Sequence, residues 1–73
     1  MTRERVAELL ERFEDDLRAE LGAMTVKELR QFARERHVPL AGASAKRAIV
    51  SELALQLRHR EYMRMCEEAG VRA

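Results

Sequence analysis

The segment MTVKELRQFARERHVPLAGASAKRAIVSEL, Met24 to Leu53, is rich in positive charge, and the charge is regularly spaced. Lys27, Arg30 and Arg34 recur at intervals of three and four, which on a helix aligns them along one stripe. Arg36 and His37 follow directly. Ser44, Lys46 and Arg47 stand where a second helix is expected to begin, and a helix N-terminus offers free amides and a partial positive charge to an anion. Cations grouped in this way suit phosphate binding, in which contacts position a partner without reading its sequence. For each of these side chains the plainer reading is a solvated surface residue.

Little else in the chain assembles into chemistry. His37, His59 and Cys66 do not fall into a zinc-finger spacing, whereas a stable structural zinc takes four ligands. Cys66 reads as a small packed hydrophobe rather than a nucleophile. Gly22, Gly42 and Gly70 make no phosphate loop. With no nucleophile, base or metal set, the expectation is a non-enzymatic protein with no cofactor, no metal and no small-molecule substrate.

The elements that must carry the cations are helical. A chain of 73 residues makes one small domain, 47% apolar and 37% charged, which suits a compact helical fold and argues against disorder. The net charge of +1 hides an asymmetry. Residues 1–24 hold four arginines against seven acidic groups, whereas residues 25–64 hold nine Lys or Arg against four Glu. The single cysteine excludes an intramolecular disulfide. No apolar run approaches a membrane span and no secretory signal opens the chain, so the expected setting is intracellular, cytoplasmic or nucleoid-associated, with no membrane partner. The initiating Met1 favours a complete chain.

In residues 1–22, Thr2 is a candidate N-cap and Val6, Leu10, Phe13, Leu17 and Leu21 form one apolar stripe. Gly22 suits the left-handed residue just past the helix end, and the acidic residues suit a solvated face. Thr25 and Glu28 make a capping box, with Met24 and Leu29 placed as a hydrophobic staple. Val26, Leu29, Phe32 and Ala33 face the core, and Pro39 ends that helix near Arg36 or His37. Val38 and Leu40 plug the gap, Gly42 permits a bend, and Ser44 caps a long last helix carrying Ile49, Val50, Leu53 and Leu57. The second half of that helix bears an interrupted stripe of Tyr62, Met65, Cys66 and Ala69, to be packed on the first helix or on a second subunit. Nothing in the pattern signals a strand.

The Met24–Leu57 unit resembles a SAP motif and is similar to its structural relatives, the LEM, HeH and Rho N-terminal modules. The matching positions are Thr25-Val26-x-Glu28-Leu29, Ala33, Val38-Pro39, Gly42, and then Lys46, Ile49, Val50 and Leu53. Two positions depart from the pattern. His37 stands where glycine is usual, and the spacing from Gly42 to Lys46 is two residues longer than in the common SAP loop. The resemblance implies a duplex-DNA binder of low sequence specificity, contacting phosphates from the start of the last helix, the loop before it and nearby basic residues.

The expectation is therefore an all-α, three-helix domain spanning residues 1–73: an acidic amphipathic helix over 1–22, a SAP-like module over 24–57 and a helical extension over 58–73. Lys27, Arg30, Arg34, Arg36, Ser44, Lys46 and Arg47 would contact nucleic acid, duplex DNA in preference to single strands. Phe13, Leu17, Tyr62, Met65 and Cys66 would form a partner or dimer interface. The alternative is a protein-interaction module or small regulator that docks on a larger protein through its first or last helix. Single-strand or RNA binding is disfavoured by the scarcity of aromatics on which bases stack.

Overall fold

Three helices follow one another along the chain: α1 (Arg3–Gly22), α2 (Val26–Glu35) and α3 (Lys46–Glu68). The computed structural model describes residues 2–68 and 70, and no strand occurs among them. The domain is all-α, as the periodicity predicts.

Each boundary has a local cause. At the start of α1, the Thr2 hydroxyl accepts from the Arg5 amide at 3.2 Å. At its end, Gly22 corrects the sequence reading: it is the last helical residue, and the cap is Ala23 at φ −84°. The Ala23 and Met24 amides bond back to the Glu20 and Leu21 carbonyls, so the helix closes in a tightened right-handed turn that needs no glycine. In α2 the capping box is complete. The Thr25 hydroxyl accepts from the Glu28 amide at 3.2 Å, and the Glu28 carboxylate accepts from the Thr25 amide at 2.9 Å.

The end of α2 is a Schellman motif. The His37 amide bonds to the Arg34 carbonyl and the Val38 amide reaches back to the Ala33 carbonyl, with His37 in the left-handed region at φ 55°. The chain then makes a type I′ turn over residues 40–43, in which Ala41 has φ 50°, Gly42 has φ 79° and the Ala43 amide bonds to the Leu40 carbonyl. Ser44 does not cap α3. The first helical carbonyl belongs to Ala45, which accepts from the Ile49 amide, so the cap position falls one residue after the serine.

α3 is the central element. α1 packs antiparallel along it: the Lys46 ammonium meets the Gly22 carbonyl at one end, and Arg58 pairs with Glu14 farther along at 3.0 Å. α2 lies across the first half of α3. Leu17 and Leu21 of α1, Leu29 and Ala33 of α2, and Ile49, Leu53 and Ala54 of α3 join Val38 in one core. Leu21, Leu29, Ile49 and Leu53 are fully enclosed, and each contributes about 1.5–3 kcal/mol of burial. The far end of the α1–α3 seam buries Leu10, Met65 and Cys66.

This seam corrects most of the expected partner interface. Leu17, Met65 and Cys66 are buried within the single chain and Phe13 packs half-buried against the core, so the seam consumes them. Of that set only Tyr62 is exposed, at the edge of the same seam beside Cys66. Ala69 lies outside the described residues.

Candidate nucleic-acid interface

α2 presents its cations because its other side is committed to the core. Leu29 and Ala33 are buried and Val26 and Phe32 half-buried, so Lys27, Arg30 and Arg34 fall on the outer face. They line a shallow surface groove with Gln31 and Glu35. Among the described residues none of the three enters an ion pair, and Arg47, exposed on the first turn of α3, is equally free. The stripe read from the sequence is thus a set of extended, unpaired cations on a helix anchored by its capping box.

Several of the remaining basic residues are used by the fold. Lys46 donates to the Gly22 carbonyl at 2.9 Å, answering an orphan acceptor at the end of α1. Arg36 lies over the Phe32 ring with its guanidinium carbon 3.6 Å from the ring centroid. Arg18 and Arg58 share Glu14, and Arg5 pairs with Glu8 at 3.5 Å. Arg64 bonds to Glu61 and Glu68, and hydrogen bonding with Glu61 holds its guanidinium above the ordinary arginine range. Lys46 and Arg47 are adjacent in sequence, yet only Arg47 keeps its charge uncommitted. Ser44 is exposed and stands before the α3 terminus, without a capping role.

Two long-range clamps carry no sequence signal. Arg60 of α3 donates to the Arg36 carbonyl at 2.5 Å and to the His37 carbonyl at 2.8 Å, closing the end of α2. Gln56, on the same side of α3, donates to the Pro39 carbonyl at 2.7 Å and to the Glu52 carboxylate at 2.8 Å. Together they fix the loop that sets the angle between α2 and α3. At the start of α2, the backbone hydrogen bond from Thr25 and then its side chain lower the Glu28 pKa, with a smaller contribution from nearby Lys46.

Acidic groups collect on the opposite helix. Glu8, Glu11, Asp15 and Asp16, with Arg12 among them, line a shallow groove on α1. The protein therefore presents a cationic helix and an acidic helix as distinct surfaces, and a phosphate backbone is attracted to the first and repelled by the second. Among the described residues no three His, Cys, Asp or Glu side chains come together as a metal set, and no helix is long and apolar enough to cross a membrane. No family model, curated protein or solved structure matches the chain.

Proposed function

We propose that the protein is a non-enzymatic accessory factor that binds nucleic acid, duplex DNA with low sequence specificity, through phosphate contacts. The observation that carries the reading is the unpaired stripe of Lys27, Arg30 and Arg34 on the outer face of α2, joined by Arg47 at the start of α3. The SAP-like pattern over the same segment supports it. Long cationic side chains without internal partners neutralise phosphates with little cost to the fold, and each releases condensed counterions from the duplex. Such contacts fix register and orientation but do not distinguish bases. The setting that fits this role is intracellular, beside the nucleoid.

The test is fluorescence anisotropy with a labelled duplex and a matched single strand, repeated across salt. Wild type is expected to bind the duplex in the micromolar range, with log K falling against log salt by about 0.9 per phosphate neutralised. A Lys27→Gln/Arg30→Gln/Arg34→Gln variant should lower that slope by about 2.7 while keeping its helical content. Lys46 is left intact in this variant because it closes α1. No duplex binding at low salt, or an unchanged slope in the triple variant, refutes the reading. The search then passes to protein docking through the acidic groove of α1, where Glu8, Glu11 and Asp15 offer the complementary surface to a basic partner.

A further inference from the structure

The outer faces of α1 and α2 match in spacing and oppose in charge. On α1, Glu8, Glu11 and Asp15 stand two residues before, one after and five after the buried Leu10. On α2, Lys27, Arg30 and Arg34 stand at the same three offsets from the buried Leu29. Each set therefore lies at the same angle to the buried side of its helix, turned away from the core, and all six side chains are exposed. Glu11, Asp15 and the three cations enter no ion pair among the described residues, and Glu8 meets only Arg5, at 3.5 Å between two exposed side chains. No ion pair among the described residues joins the two faces within the chain.

We propose that the acidic face of α1 is the docking surface for the cationic stripe of a second copy of this chain, with the two helices parallel. Both stripes repeat at three and then four residues, the spacing that a helix pair keeps in line along its seam. A parallel pair sets equivalent positions opposite each other, so Glu8 faces Lys27, Glu11 faces Arg30 and Asp15 faces Arg34. Reversing one helix keeps the two outer pairs but shifts the middle by one residue, which sets Arg12 against Arg30. A second copy carries the register as well as the charge, which an arbitrary basic partner does not. The contact is heterologous: each docked copy leaves one acidic and one cationic face open, so copies add head to tail. Exposed ion pairs are individually weak and are screened by salt, so the association is reversible and belongs to low ionic strength. The same contact covers the Lys27–Arg34 stripe. On the nucleic-acid reading above, on which this consequence rests, a duplex and a second copy compete for one surface.

Carbodiimide cross-linking of an equal mixture of isotope-labelled and unlabelled chain tests the contact, since this reagent joins an amine only to a carboxylate that touches it. Lys27 and Lys46 are the chain's lysines, and Lys46 is held at the Gly22 carbonyl. At about 10 mM salt, where the screening length is about 30 Å, labelled-to-unlabelled peptides joining Lys27 to Glu8 should form, and at about 1 M salt their yield should fall about fivefold or more. Glu11→Gln/Asp15→Asn should lower the yield by a similar factor with unchanged helical circular dichroism. Glu20→Gln/Glu67→Gln has the same net charge and should leave the yield within about twofold of wild type, since neither residue belongs to the stripe. No labelled-to-unlabelled product at Lys27, a product joining Lys27 to Asp15 in place of Glu8, or equal loss in the two variants overturns the proposal. Excess duplex DNA in the low-salt buffer should suppress the product, with its binding followed by anisotropy. A bound duplex that leaves the yield unchanged overturns the competition, whereas a duplex that does not bind removes the nucleic-acid reading and leaves the interface standing.

Discussion

Arg60 clamps the C-terminal end of the cationic helix, and its removal gives a quantitative test. Its guanidinium donates to the Arg36 and His37 carbonyls at 2.5 and 2.8 Å, two acceptors that the end of α2 leaves without helical partners. A charged donor to a neutral carbonyl contributes more than a neutral pair, but these bonds are exposed to water, which places the two together at about 1.5 kcal/mol. A chain of this length has a total stability of about 4–11 kcal/mol, so Arg60→Ala should remove a sizeable fraction of it. The corresponding fall in Tm is about 6–12 °C.

The assay is urea unfolding followed by far-ultraviolet circular dichroism, with two companion variants. Arg60→Lys keeps the charge but lacks the fork that spans both carbonyls, so about half of the loss should remain. Arg58→Ala removes an exposed ion pair with Glu14, and such pairs contribute about 0–1 kcal/mol. The order of damage is therefore Arg60→Ala, then Arg60→Lys, then Arg58→Ala. A midpoint for Arg60→Ala equal to wild type, or no larger a shift than for Arg58→Ala, would falsify the assignment of Arg60 as the clamp of α2.

Two further outcomes follow from the same region. His37 holds φ 55° in the Schellman motif, where a side chain costs about 1–2 kcal/mol and glycine only its chain entropy, so His37→Gly should raise the Tm by about 3–6 °C; a fall in Tm would show the imidazole contributing more than the strain costs. The Glu28 pKa is lowered by its hydrogen bonds to Thr25, so the stabilisation by the carboxylate is complete above the ordinary carboxylate value of about 4.3 and is lost as pH falls through the lower folded value. Glu28→Gln should therefore be less stable than wild type at pH 6 and match it at pH 2.5, and a gap that persists in acid would mean that ionisation of Glu28 is not what holds the box.

What the sequence made legible was local. The Thr25–Glu28 box joins residues three apart, and the apolar spacing of Leu10, Leu17 and Leu21 or of Leu29 and Ala33 declares a buried face directly. His37, which departs from the SAP-like pattern at a position where glycine is usual, is the residue that takes the left-handed conformation at the end of α2. The failures come from distance and from competing closures. Gly22 reads as a left-handed cap until the Ala23 and Met24 amides are seen to close the turn without one. Lys46 reads as a free phosphate ligand because its acceptor, the Gly22 carbonyl, is 24 positions away; Arg60 and Gln56 likewise act across 24 and 17 positions. Periodicity reports which side of a helix is apolar, but it does not say how many apolar sides find a neighbour. That is why Leu17, Met65 and Cys66 read as an interface although α1 and α3 bury them against each other.

The division of labour among the cations explains how so small a domain can hold a charged surface. Lys46, Arg58 and Arg60 spend their charge on carbonyls and carboxylates of the chain, and their loss is felt as stability. Lys27, Arg30, Arg34 and Arg47 touch none of these, so they are free to change charge without disturbing the core. On the proposed reading, three or four phosphate contacts would give a modest affinity and a shallow salt dependence, so the cationic stripe alone would make a weak, sequence-blind contact surface.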